Sequence, residues 1–125
     1  MSSTQFDFQL YIVHAKAISQ EPRDEAALRS AVSRAYYAAY WKARRHLEKQ
    51  YFEAVPKEDA HAFVWEKFQT IKDKNGTPLC AIGKALRARR NWADYEATPN
   101  LGSRDAEAQI LEAEELIAEV ASLRK

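Results

Sequence analysis

Glycine and proline are scarce in this chain of 125 residues, which has three of one and four of the other. So few turn-formers disfavour a β-sandwich or barrel, which needs many tight reversals. The 15 β-branched residues (5 Val, 6 Ile, 4 Thr) stand against 22 alanines, and that balance points away from sheet as well. With glycine this rare, no Gly-rich phosphate loop can be assembled, which argues against a βαβ nucleotide-binding fold. Cysteine occurs once, as Cys80, so an intrachain disulfide is excluded and a reducing cytoplasm is the expected setting. Cys80 has no sequence partner for nucleophilic catalysis and is expected to be a buried structural thiol. Histidine occurs three times, at His14, His46 and His61, and none falls in a metal-ligand spacing such as H-E-x-x-H. No metal site or cofactor is therefore expected. The opening Met-Ser-Ser-Thr-Gln-Phe-Asp lacks the basic-then-apolar pattern of a secretory signal. No apolar run approaches the ~20 residues of a membrane helix.

What is present is a chain with 46% hydrophobic and 11% aromatic residues, enough to exclude disorder and to build one ordinary core. A single domain spanning 1–125 is expected. The formal net charge of +1 conceals a segregation. Residues 29–49 carry six bases (Arg29, Arg34, Lys42, Arg44, Arg45, Lys49) against one acid, Glu48. Residues 84–90 add four more (Lys84, Arg87, Arg89, Arg90). Residues 105–119 hold six acids and no base. Two basic segments that meet in space would attract phosphates; two that do not are solvated helix faces.

Periodicity predicts five helical stretches. The first, Thr4 to Ser19, places Phe6, Leu10, Val13 and Ala17 on one face, expected to be inward. Pro22 interrupts, and Asp24 is the candidate N-cap of a second stretch running to Glu53. Leu28, Ala31, Val32, Ala35, Tyr36, Ala39, Ala43 and Leu47 form its stripe. Tyr37, Tyr40 and Trp41 lie beside that stripe, so two buried sides are expected. The third stretch, Lys57 to Lys72, places His61, Val64, Trp65, Phe68 and Ile71 on one face. Asn75-Gly76-Thr77-Pro78 reads as a turn, with Thr77 as cap. The fourth stretch, Pro78 to Ala97, turns Leu79, Ile82, Leu86, Trp92 and Ala93 inward, with Arg89 and Arg90 within or beside that face. Thr98-Pro99-Asn100-Leu101-Gly102 forms a loop. The fifth stretch, Ser103 to Leu123 with Ser103 as its cap, carries Ala106, Ile110, Ala113, Ile117 and Val120 opposite an acidic face. The expected fold is all-α: an antiparallel up-and-down bundle of four to five helices.

Polar chemistry concentrates in Leu86–Glu96. Arg90 and Asp94 are an i, i+4 pair, and Asn91 and Tyr95 share a face. A guanidinium beside an apolar face suits bidentate binding of phosphate or carboxylate, and equally suits an ion pair that orders the bundle. His61 on an apolar face is the usual pattern of a satisfied core histidine.

Two segments, Ser33-Arg34-Ala35-Tyr36-Tyr37-Ala38-Ala39-Tyr40 and Arg90-Asn91-Trp92-Ala93-Asp94-Tyr95, resemble the HEPN superfamily of helical proteins. Its prokaryotic members commonly show S-x-A-Y-Y-A on an early long helix and R-x-x-A-D-Y on a later one. The helix order, the place of His61 and the acidic last helix are also similar, so the resemblance covers nearly the whole chain. It implies an up-and-down bundle that forms a homodimer, with a polar cleft at the interface. Many members are metal-independent ribonucleases with an R-x(4–6)-H motif, in which arginine stabilises the scissile phosphate and histidine handles the proton. Others pair with a small nucleotidyltransferase as toxin and antitoxin. Here no arginine is followed by histidine at that spacing, and Tyr95 stands five positions after Arg90. Tyrosine, with a pKa near 10, is a poor general base at neutral pH but hydrogen-bonds phosphates and stacks on bases.

Three functions follow as expectations. The first is a binding or regulatory protein that contacts RNA or a nucleotide through Arg34, Tyr37, Arg89, Arg90, Asn91 and Tyr95 in a basic cleft of a homodimer. It would serve a toxin–antitoxin or defence module. The second is a divergent ribonuclease using Arg90 with Asp94 or Tyr95, with His46 or His61 brought in from elsewhere. The third is a structural interaction module in which Arg90–Asp94 only orders the fold. The sequence does not locate the dimer face, although the small residues Ala81, Gly83 and Ala85 would permit close helix approach.

Overall fold

The fold is a computed structural model that describes residues 6–20, 24–51, 54–97 and 100–123. Five α-helices occur among them: α1 (Gln9–Ile18), α2 (Glu25–Gln50), α3 (Ala60–Glu66), α4 (Leu79–Tyr95) and α5 (Ser103–Ala121). The all-α bundle expected from composition is what forms. The expected endpoints at Thr4 and Glu53, the break at Pro22 and Thr98-Pro99 of the last loop lie outside the described residues.

The organising element is α2, 26 residues and so about 39 Å long. It packs against each of the other four helices. Its side chains explain how one helix can be covered so fully. Ala31, Ala35, Ala38, Ala39 and Ala43 are all buried, and a methyl group lets a neighbouring backbone come close. Leu28, Val32, Tyr36, Tyr40 and Leu47 fill the wider gaps. The Asp24 side chain accepts a hydrogen bond from the Ala27 N–H at 3.1 Å, so the expected N-cap forms.

Three details depart from the sequence expectations. First, α1 turns its other face inward. Ile12 and Ala15 are buried, whereas Phe6, Leu10 and Val13 are half exposed or more and Ala17 is exposed. Both sides of this helix are apolar, so its own periodicity cannot orient it. The inward side is the one with aromatic partners: Phe8 stacks on Trp41 with ring centroids 4.8 Å apart, and Tyr11 lies under the Arg34 guanidinium. Second, α3 is seven residues long, shorter than the span expected over 57–72. Beyond Glu66 the backbone relaxes to i→i+3 bonds, among them Phe68 N–H to the Trp65 carbonyl at 3.0 Å. Third, the caps shift by a residue. Pro78, not Thr77, is the N-cap of α4, and Gly102, not Ser103, that of α5, where the Asp105 carboxylate accepts from the Gly102 N–H at 2.9 Å. The Asn75-Gly76 turn is as expected. Gly76 has φ of +83°, and Asp73 Oδ1 accepts from the N–H groups of Asn75 and Thr77.

Gly83 does permit a close approach, as its size suggests. It is buried under the indole of Trp65, and a Cβ there would overlap Cδ2, Cε3 and Cζ3 of that ring. Its missing side chain serves contact between α3 and α4 within the chain, so it is not available as a dimer face. Gln109, fully buried on α5, donates from Nε2 to the carbonyls of Leu86 at 3.0 Å and Val32 at 3.3 Å. It thereby ties α5 to both α4 and α2. Replacing Gly83 with alanine is expected to cost about 1–3 kcal/mol through overpacking against Trp65, measured by urea unfolding.

Candidate functional site

Tyr36 lies at the centre of the polar end of the bundle. Its hydroxyl is buried between α2 and α3, within 3.1 Å of Trp65 Nε1 and 2.5 Å of His61 Nδ1. The indole can only donate, so Tyr36 accepts from Trp65. The one arrangement that also satisfies the phenol proton has Tyr36 donating to His61 Nδ1. Burial pushes the Tyr36 phenol up, well above its usual range, so that proton is held at neutral pH. His61 is then the neutral tautomer with its proton on Nε2. Its ring stacks on Tyr40 at 4.0 Å.

Three guanidinium groups act on this imidazole. Burial is the main cause that lowers the His61 pKa, to about 4, with Arg87, Arg90 and Arg44 adding to it in that order. Arg44 donates to Glu48 and to the Tyr40 hydroxyl, both at 3.2 Å. Arg90 is 8% exposed. It lies over the rings of Tyr37 and Tyr36, 5.2 and 5.6 Å from their centroids, and donates from Nη1 to Asp94 Oδ2 at 3.2 Å. Its Nε is buried without a partner among the described residues. Arg87 makes no hydrogen bond or ion pair among those residues, and its Nε is likewise buried and unpartnered. The cluster is thus short of acceptors: two of its three cations have a carboxylate, and Arg87 has none.

Two depressions reach these residues, one at Arg87 and the other at Tyr37 and Asp94. One, ≈240 Å³, is lined by Ala62, Trp65, Glu66, Lys84, Arg87, Ala88 and Asn91. The other is a groove of ≈520 Å³ between α1, α2 and the end of α4, whose lining includes His14, Ser30, Ser33, Arg34, Tyr37 and Asp94. The far end of α4 is secured by Arg29, which donates from Nη1 to the Ala93 carbonyl and from Nε to Glu25.

The residues singled out in the sequence therefore separate into two groups. Arg34, Tyr37, Arg90, Asn91 and Asp94 border these depressions or lie between them. Arg89 does not join them: it points to α5, donating to Glu112 at 2.8 Å and to Gln109 at 3.3 Å. Tyr95 is 78% exposed on the last residue of α4, and no contact joins it to Arg90. His46 is also apart, its ring between Tyr51 and Phe68 and its Nε2 buried without a partner. Cys80 is half-buried against the core. Among the described residues no group of His, Cys, Asp or Glu could hold a metal ion, and no helix is long and apolar enough to cross a membrane.

Sequence reasoning missed Arg87, Tyr36 and Arg44 as site residues and kept His61 only as a recruit to a ribonuclease site. The i, i+3 pair Arg87 and Arg90, and the i, i+4, i+8 row Tyr36, Tyr40 and Arg44, were the available signals. Comparison of the chain with protein-family models, with curated proteins and with solved structures found no match.

Two measurements check this geometry. The His61 imidazole should titrate by NMR with a midpoint near 4 rather than 6.5. Between those values the unfolded chain binds a proton that the folded chain does not. The contribution of His61 to stability therefore falls as pH drops from about 6.5 to about 4. Tyr36→Phe leaves the Trp65 N–H and His61 Nδ1 unpaired and should cost about 1–3 kcal/mol in urea unfolding at pH 7.

Proposed function

We propose that this chain is a HEPN-type helical protein that binds an RNA or nucleotide phosphate at the Arg87–Arg90 cluster. The observation that carries the reading is Arg87: a partly buried guanidinium with no acceptor, beside a nearly buried second one, facing a neutral imidazole. The Nε of Arg87 is buried while its terminal nitrogens reach solvent, so an oxyanion docking there supplies the missing acceptors, in bidentate form if it is a phosphate. Tyr37 and Arg34 border the adjoining groove with an aromatic face and a further cation, which suits the rest of a nucleotide. Binding, rather than cleavage, is favoured because the one histidine at the cluster is tuned far from neutrality. Tyr95, moreover, stands away from it.

A homodimer belongs to the same proposal. Leu10, Val13 and Ala17 expose a stripe with 3-4 spacing on the outer face of α1, the spacing of a helix-pair seam. His14 adjoins that stripe and also lines the groove, so a second copy seated there would stand beside the ligand. The resemblance noted above adds a toxin–antitoxin or defence setting, with a small nucleotidyltransferase as partner.

Fluorescence anisotropy with a labelled single-stranded RNA tests the binding. Affinity is expected to fall with salt, and Arg87→Ala to weaken it and flatten the log–log salt slope by about 0.7. An RNA left unbound at low salt overturns the reading. If that RNA is cut without metal, a divergent ribonuclease is the better description. If Arg90→Ala lowers stability while binding is unchanged, Arg90–Asp94 is a structural pair only. For the dimer, Leu10→Glu with Val13→Glu should convert a dimeric mass in light scattering to a monomeric one.

A further inference from the structure

Besides the arginine donors, the cluster leaves one imidazole donor unused. His61 Nδ1 is occupied by the Tyr36 hydroxyl, which in turn is held by Trp65. The proton on Nε2 has no protein partner among the described residues, and Nε2 is not among the atoms buried without one. It is therefore open to solvent, on a ring clamped against Tyr40 and within the field of Arg87, Arg90 and Arg44. We propose that His61 is a neutral hydrogen-bond donor of the anion site, offering Nε2–H to a phosphate oxygen that Arg87 and Arg90 hold. Tyr36 is then a positioning residue, since its hydroxyl selects the tautomer that donates on the ligand side.

This rests on the phosphate-binding reading and adds a specific physical content to it. A donor that gains no charge when it acts does not add a third cation to two guanidiniums already crowded together. It also keeps donating at any pH at which the imidazole stays neutral. The charged groups around it are Arg44 with Glu48 on α2, Arg90 with Asp94 on α4, and Arg87 with Lys84 and Glu66 at the neighbouring depression, while burial keeps the Tyr36 phenol protonated. Affinity for a phosphodiester, itself a constant anion between about pH 5 and 8, should consequently be flat across that range.

The test uses the full chain and a labelled single-stranded oligoribonucleotide, with nitrogen-15 NMR of the histidines alongside. His61 is expected as the Nε2–H tautomer, its Nε2 resonance moving as RNA is added. His61→Phe, which keeps a stacking ring and removes the donor, should weaken binding about tenfold or more, while His61→Gln, which restores an N–H, should recover most of it. If Arg87→Ala weakens binding and His61→Phe does not, the inference fails and the phosphate reading stands. If the wild-type chain binds no RNA at low salt, both fail. A His61 protonated on Nδ1 overturns the inference by itself, on wild-type protein, whatever the stability of the variants.

Discussion

A buried phenol has to place its proton and its lone pairs, and the hydroxyl of Tyr36 does so by joining α3 to α2. It takes the Trp65 N–H and gives its own proton to His61. Trp65 is thereby fixed in one pose, and its indole fills the space where Gly83 of α4 lacks a side chain. The three helices that build the cationic cluster are thus registered through one hydroxyl and one missing methyl group. Arg90 then lies over the rings of Tyr36 and Tyr37, so the residue that sets the packing also sets the floor of the site. Loss of the Tyr36 hydroxyl acts on packing and on site geometry together, because the same atom serves both.

The basic residues divide by what they touch. Arg34 and Arg45 lie over aromatic rings where α1 meets α2, and Arg44 stacks on Trp41. Lys16 pairs with Glu114 and Arg89 with Glu112, so part of the acidic surface of α5 neutralises cations inside the fold. Lys84 and Arg87, which line one depression together with Glu66, have no ion-pair partner among the described residues. A near-neutral chain can therefore present a local anion site without being a basic protein, because screening and pairing act over about 10 Å while net charge is summed over the whole molecule.

Much of the fold was legible in the sequence. The stripe on α2 from Leu28 to Leu47 is buried at every position read from periodicity, and the Asp24 cap and the Gly76 turn form as expected. The site was legible only in part. Arg90 and Asp94 are an i, i+4 pair, a local relation that spacing reveals, and they do pair. Arg89, their neighbour in sequence, faces α5 because one residue of helix rotates the side chain by 100°. His61 looked like an ordinary core histidine because its meaning lies in partners 25 to 29 positions away along the chain.

The sequence by itself determined that this is a helical chain, where most helices run, and which residues of the α2 stripe are covered, with Ala106, Ile110, Ala113 and Val120 of α5, since these follow from local propensity and 3.6-residue periodicity. Only the tertiary structure decided which apolar face of α1 is buried and which tautomer His61 adopts. It also decided that, of the three guanidinium groups acting on His61, Arg87 is the one without an acceptor among the described residues. Each of those depends on what a neighbouring helix presents at a few ångströms, and no spacing within one segment carries that information.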